Sequence, residues 1–327
     1  MRLLVTGSAG HLGEGLMRAL PDLGYQPVGL DLKPGPYTDH TGTLTDRPLL
    51  AQAMEGCGAV LHTATLHKPH VGTHSKQDFV ETNVAGTLAV LETAAAQGVK
   101  TVIFTSTTSA FGDALTPAPG DPAAWIDESV RGLPKNIYGA TKTGAEDLCA
   151  LFAYTEGLHV IILRTSRFFP EEDDSAAQRD AYSDTNLKAN EFLFRRVDLA
   201  DAVSAHVAAL TQAPTLGFGR YIISATTPFT RADLAELRND APAVVARYAP
   251  GAAEVYATRG FTLFPGIGRV YVNAAARQDL GWQPEYDFHR ILEQLRAGTE
   301  IGSPLAHLVG AKGYHATKFS DGPYPVT

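Results

Sequence analysis

The chain has 327 residues, 44% of them hydrophobic and 19% charged, enough to bury a full core and too apolar for a disordered polypeptide. Its formal charge of -8, with basic residues scattered singly, argues against a nucleic-acid footprint or a membrane-surface patch and leaves small molecules as partners. Two cysteines, Cys57 and Cys149, are too few for a disulfide framework and fit neither a zinc site nor a redox pair, which suits a reducing cytoplasm.

No apolar run approaches a membrane span, and "MRLLVTG" opens directly as a strand, leaving no room for a signal peptide. From there short apolar runs of strand length follow one another: "RLLVTG", "QPVGLDL", "GAVLHTA", "KTVIFTS", "HVIILRT" and "RYIISAT". Helix-like stretches at about residues 12–23, 78–98 and 139–157 separate them, the second stopped by Gly98. This alternation predicts an α/β protein, a Rossmann-type doubly wound parallel sheet wrapped by helices. After "HVIILRT" the regularity weakens through the acidic loop "PEEDDSAAQRD" and the region from Asp240 to Arg269. Residues 1–165 are read as the cofactor-binding domain and 166–327 as mainly a smaller C-terminal substrate-binding lobe, with segments near 197–224 returning to the first. "DLADAVSAHVAALTQ" and "YDFHRILEQLRAG" have amphipathic-helix spacing, His206 reads as a packing histidine, and "LGWQP" as a turn plugged by Trp282. The tail from Gly302 has no clear period.

Two motifs carry chemistry. "VTGSAGHLG" places Gly7, Gly10 and Gly13 at the first strand-to-helix turn, where a dinucleotide diphosphate needs bare backbone and the N–H groups of a helix N-terminus. "VGLDLK" answers it by ending the second strand in Asp31, whose carboxylate suits the adenosine ribose hydroxyls and repels a 2′-phosphate; NAD is therefore expected over NADP, although Lys33 keeps NADP open. In "NIYGATKTGAE", Tyr138 and Lys142 stand four residues apart on one helix face, so phenol and ammonium reach one shared region. The histidines of "LHKPHVGTH" lack a ligand pattern and accompanying carboxylates, and no metal is assigned.

With "VLHTAT", "TNVAGTLAVLE", "FTSTTSAFG" and "ARQDLGWQP" in the same order, the chain resembles the extended short-chain dehydrogenases/reductases of the nucleotide-sugar epimerase and dehydratase group over most of its length. That resemblance implies an NAD-dependent enzyme with Tyr138, Lys142 and Thr107 as catalytic residues; Thr105, Ser106 and Thr108 remain alternatives to Thr107. It implies that Ala9, His11 and Leu12 join the three glycines around the cofactor. Leu44, Thr63, Ala64, Thr65 and Thr105 would line it further along, and Asn83 would tie the preceding helix to the cofactor-side strands. Around the substrate it implies His67 and Lys68, with His70 as an alternative, together with Thr107, Thr108 and Tyr138.

Physically, Lys142 and a positively charged nicotinamide would both stabilise a Tyr138 phenolate, so its pKa is expected to fall toward neutrality. Tyr138 would then exchange a proton with a substrate hydroxyl while hydride moves to or from the nicotinamide, with Thr107 orienting the oxygen and Lys142 also reaching the nicotinamide ribose. Three departures from the resembling family bear on substrate. Arg167 stands where an asparagine is usual, in "LRTSRFFPEEDD", and would either grip a carboxylate or phosphate or pair with the acids that follow. Little chain separates Pro170 from "RRVDLADAVSAH", so a uridine pocket is expected to be missing, an arrangement similar to uronate dehydrogenases. Thr43 replaces an aspartate that commonly contacts adenine.

The favoured reading is a dehydrogenase that oxidises a carbohydrate or sugar-acid hydroxyl. The alternatives are an epimerase that retains its cofactor and a non-catalytic dinucleotide-binding protein, the last disfavoured because both Tyr138 and Lys142 are present. The resemblance also implies a homodimer built on the helices near 78–98 and 139–157.

Overall fold

The computed structural model describes residues 1–313 together with His315 and Phe319; the rest of the tail, whose role the sequence leaves open, lies outside the described residues. Nine strands are present among them: β1 (Arg2–Thr6), β2 (Gln26–Asp31), β3 (His40–Thr41), β4 (Ala59–His62), β5 (Thr101–Thr107), β6 (Ala124–Ile126), β7 (His159–Thr165), β8 (Phe218–Ile223) and β9 (Arg269–Tyr271). Seven form one parallel sheet in the order β3-β2-β1-β4-β5-β7-β8, and β6 pairs with β9 in a separate two-stranded sheet. The six apolar runs read from the sequence are six of the seven large-sheet strands. Their runs are nearly unbroken because helices cover both faces, as in β7, where six of seven residues are buried.

Alternate residues of β1 serve opposite layers. Leu3 and Val5 pack on one face against α1 (His11–Ala19) and the long helix Leu199–Leu216, with Trp282 closing that core, while Leu4 packs on the other with the helices Arg47–Met54, Gly86–Gln97 and Ile137–Thr155. Trp282 is buried and its indole N–H donates to Ser204 Oγ at 3.0 Å. A separate apolar cluster, including Leu187, Val244, Tyr256, Phe264 and Ile291, forms the lobe.

Three boundaries differ from expectation. α1 stops at Ala19 and a short 3-10 turn, Pro21–Leu23, follows, because Pro21 has no N–H to continue the ladder that ends with Leu20 N–H on the Leu16 carbonyl. The stretch expected as one helix from residue 78 contains a widened π-type segment, Val80–Ala85, before Gly86–Gln97; Gly98 ends it at φ +73°, a left-handed conformation that suits glycine. The irregular region after Asp240 contains two helices, Ala241–Tyr248 and Ala252–Thr258, held by the lobe core.

Parallel register aligns the strand ends: Thr6 pairs with Leu30 and His62, and Thr107 with Thr165. The segments after β1, β4, β5 and β7 therefore emerge on one edge. The strand order reverses between β1 and β4, which opens a crevice there.

Candidate active site

A cavity of about 870 Å³ occupies that crevice and extends under the lobe. At its inner end Gly7 has φ +75°, and a Cβ on it would lie 2.7 Å from the Ala64 nitrogen; a Cβ on Gly13 would lie 1.9 Å from the Gly7 carbonyl oxygen. Only bare backbone closes this turn. It leads into α1 through Gly10, where no side chain caps the helix, so the first-turn N–H groups are available to an anion. Asp31 sits at the rim, its carboxylate accepting from the Ala9 N–H at 3.0 Å and the Lys33 N–H at 2.9 Å. Ala9, His11, Leu12 and Leu44 line this part of the cavity, as does Thr43. Thr43 itself contacts Thr45 at 3.1 Å.

The middle wall comes from Thr63, Ala64 and Thr65. Thr63 Oγ1 donates to the Thr6 carbonyl at 2.8 Å, binding the β4 end to β1. Asn83 lies behind this wall, fully buried rather than lining it. Its Oδ1 accepts from Leu66 N–H and Thr65 Oγ1, both at 2.9 Å, while Nδ2 donates to the Leu66 carbonyl at 2.9 Å and Thr141 Oγ1 at 3.0 Å. One amide thus fixes the β4 loop to the helix that carries Tyr138.

That helix, Ile137–Thr155, starts at Asn136, whose side chain accepts from Gly139 N–H at 3.0 Å. A Cβ on Gly139 would lie 2.8 Å from the Ser109 carbonyl, so glycine lets the first turn press against the segment after β5. Tyr138 is thereby buried in the cavity wall, where the neighbouring Thr107 side chain acts to lower its pKa. Of the other hydroxyls, Thr105 contacts His206 Nε2 at 2.7 Å and Ser106 donates to Glu146 at 2.6 Å, while Thr108 lines the cavity. His206 is indeed buried in packing, with Nδ1 2.7 Å from the Ala202 carbonyl.

Lys142 is buried one turn beyond Tyr138, its Nζ 3.9 Å from the Phe104 ring centroid. The expected fall of the phenol pKa is not found in the chain's own electrostatics. Burial pushes Tyr138 up to about 12, against the influence of the Thr107 side chain, and burial also brings Lys142 down to about 7, against the charge of Glu146. Desolvation penalises phenolate and ammonium alike, and in the chain alone it dominates both.

Glu146, missed in the sequence, is fully buried one turn further along the same face. It accepts from Arg164 at 3.0 and 2.8 Å and Ser106 at 2.6 Å, and Arg220 lies 3.0 Å away. The spacing Tyr138, Lys142, Glu146 is the signal that would have found it.

At the substrate side His67 is half-buried, with ring centroids 5.2 Å from Phe169 and 6.5 Å from Tyr138, and burial holds its pKa well below the ordinary histidine value. Lys68 pairs with Asp174. Arg167 lines the cavity and takes the second of its two expected courses: it pairs with Asp173 at 2.6 Å and donates to the Glu172 carbonyl at 3.3 Å. Its charge is compensated within the chain. His70 approaches His67 at 4.7 Å between centroids. His11 contacts Glu171 at 2.8 Å; burial alone would raise Glu171, but this contact prevails and holds it at about 2. The Lys312 and Gly313 N–H groups also donate to Glu171, at 3.0 and 3.2 Å, which brings the C-terminal segment to the rim. Among the described residues no three His, Cys, Asp or Glu side chains are grouped to hold a metal, and no helix is long and apolar enough to cross a membrane.

The glycine cradle, the open helix N-terminus and the carboxylate of Asp31 fit a dinucleotide, and with the Tyr138–Lys142 helix beside them they define an enzyme of the short-chain dehydrogenase/reductase type. The chain belongs to the NAD dependent epimerase/dehydratase family, whose profile matches residues 3–217; its cofactor is NAD. It is 27% identical to a UDP-glucose 4-epimerase of Rhizobium meliloti across 89% of this chain and 94% of that protein. It is 28% identical to a uronate dehydrogenase of Pseudomonas putida across 52% of this chain and 62% of that one. An NAD-bound short-chain dehydrogenase/reductase superfamily protein from Agrobacterium tumefaciens superposes with a TM-score of 0.64 at 23% identity, covering 91% of this chain and 96% of that one, and shares the fold.

Proposed function

We propose that the protein is a dehydrogenase that oxidises a hydroxyl of a free carbohydrate or sugar acid. The carrying observation is the buried Tyr138 phenol, which shares with Thr107 the wall of a cavity that runs back to the glycine turn. NAD supplies the hydride acceptor and brings a positive ring into the cleft. Gly7, Gly10 and Gly13 would hold its diphosphate and Asp31 its adenosine ribose, with Thr63, Ala64 and Thr65 along the middle. Thr107 orients the substrate oxygen. Tyr138 takes the hydroxyl proton on its own oxygen, which requires the phenol to have lost its proton first. With the phenol at about 12, that loss needs positive charge nearby, and Lys142, titrating near 7, is the chain's own source of it. His67 and Lys68 border the substrate space.

The short helical segment between Pro170 and Arg195, built of Ala176–Ala181 and Asp184–Glu191, favours a substrate without a nucleotide, as does the likeness to a uronate dehydrogenase. A second reading, an epimerase of sugar nucleotides that keeps its cofactor, is favoured by the near full-length likeness to a UDP-glucose 4-epimerase. Under either reading we infer a cytoplasmic homodimer; exposed Val80, Leu151 and Tyr154 on the helices near 78–98 and 139–157 support the dimer. Incubation with NAD and D-glucuronate, D-galacturonate, D-glucose or UDP-glucose separates the readings. Reduced nicotinamide formed with a free sugar acid is the expected result. UDP-galactose formed from UDP-glucose without reduced nicotinamide would establish the second reading instead, and neither product with any compound would overturn both.

A further inference from the structure

Arg269 opens β9 and stands in register with Ala124 of β6. Two residues along, Tyr271 packs with Phe111 and Ile126, and its N–H donates to the Phe194 carbonyl at 3.0 Å. The strand is thus fixed against the segment that follows β5, and Arg269 lines the same cavity as Thr107, Lys135 and Tyr138.

The cations around this cavity differ in one respect. Arg167 is matched by Asp173, Arg195 by Glu191, Lys68 by Asp174, Lys135 by Asp113 and Lys312 by Glu14. Lys33 is exposed at the Asp31 end. Arg269 is half-buried, has no acidic partner among the described residues, and its Nε is buried without a hydrogen bond. Its guanidinium carbon stands 5.9 Å from the Tyr271 ring centroid, a cation–π contact that leaves the charge without an acid, and its planar fork matches the two oxygens of a carboxylate or phosphate.

We propose that Arg269 is the substrate anchor, binding an oxyanion of the carbohydrate so that a hydroxyl of the same molecule faces Tyr138. This deepens the proposed function and rests on that reading; it moves anion recognition from Arg167, which its own loop neutralises, to Arg269 on β9. The oxyanion is a carboxylate if the substrate is a free sugar acid and a phosphate if it is a sugar nucleotide.

The test is calorimetric titration of NAD-loaded wild type, Arg269→Met and Arg269→Lys with D-glucuronate, D-glucose and UDP-glucose. In wild type an oxyanionic compound should bind at least about tenfold more tightly than D-glucose. Arg269→Met should weaken that compound by about tenfold to a hundredfold and leave D-glucose and NAD unchanged, with Arg269→Lys between the two. Loss confined to D-glucuronate identifies the carboxylate, and loss confined to UDP-glucose the phosphate; either supports the anchor. Equal binding in wild type and Arg269→Met, or no binding of any oxyanion to wild type, overturns it. If Arg269→Met does not fold, Arg269→Lys decides: a loss of less than about threefold would contradict a requirement for the fork. Because the readout is binding, absent turnover with every sugar would overturn the dehydrogenase reading without touching this result.

Discussion

Replacing Glu146 by glutamine probes the support beneath the Tyr138–Lys142 pair. The carboxylate is fully buried and receives Arg164 through two bonds, at 3.0 and 2.8 Å, and Ser106 at 2.6 Å, with Arg220 at 3.0 Å. Glutamine keeps the shape but removes the charge and turns an N–H₂ donor toward guanidinium donors. Breaking a buried ion pair on one side costs about 3–5 kcal/mol, and Arg220, a third exposed, places the expectation toward the lower end. For a chain of 327 residues this is a fall of about 4 to 7 °C in the thermal midpoint. Differential scanning calorimetry at fixed NAD concentration measures it. The exposed pair Arg47–Glu92 supplies the control, because Glu92→Gln should change stability by less than about 1 kcal/mol. A midpoint for Glu146→Gln no lower than that of Glu92→Gln would refute the reasoning.

Gly13→Ala should weaken NAD at least about tenfold in a fluorescence titration, since the added Cβ would stand 1.9 Å from the Gly7 carbonyl and must push the turn apart. Asp31→Ser should cost NAD about tenfold to a hundredfold and narrow its advantage over NADP, measured as the ratio of the two dissociation constants. Stability should fall with acid: burial holds His62 at about 3 and His70 and His206 at about 4, so below about pH 6.5 the unfolded chain gains protons that the folded chain refuses. His67 is held low as well, and Asp201, raised by burial to about 7, opposes the four histidines with one proton, leaving about three protons and a loss of about 4 kcal/mol per pH unit between pH 6 and 5, checked by urea unfolding across that range.

Much of the sheet was legible because its strands are buried on both faces and therefore appear as unbroken apolar runs. Strands β3, β6 and β9 are two or three residues long and carry no period, so only pairing partners distant in sequence define them. Gly98 marked its helix end through its own conformational freedom, whereas the break after Ala19 required weighing Pro21 against a continuing apolar pattern. In the site, Gly7, Asp31, Tyr138 and Lys142 were visible because local spacing fixes their relation. The ring of Ser106, Arg164 and Arg220 around Glu146 was not, since β5, β7 and β8 meet only in the folded sheet. The opposing push of burial on Tyr138 was not legible for the same reason: charge spacing can be read along a helix, but depth of burial cannot.

The central claim is that Tyr138 handles the substrate proton in an NAD-filled cleft. Kinetics and NAD titration of Tyr138→Phe, with whichever panel compound the wild type turns over, test it most directly. Turnover should fall by about 10² to 10⁴-fold while NAD affinity stays within about threefold, because the phenol oxygen serves chemistry and the ring serves packing. Turnover within tenfold of wild type would contradict the claim.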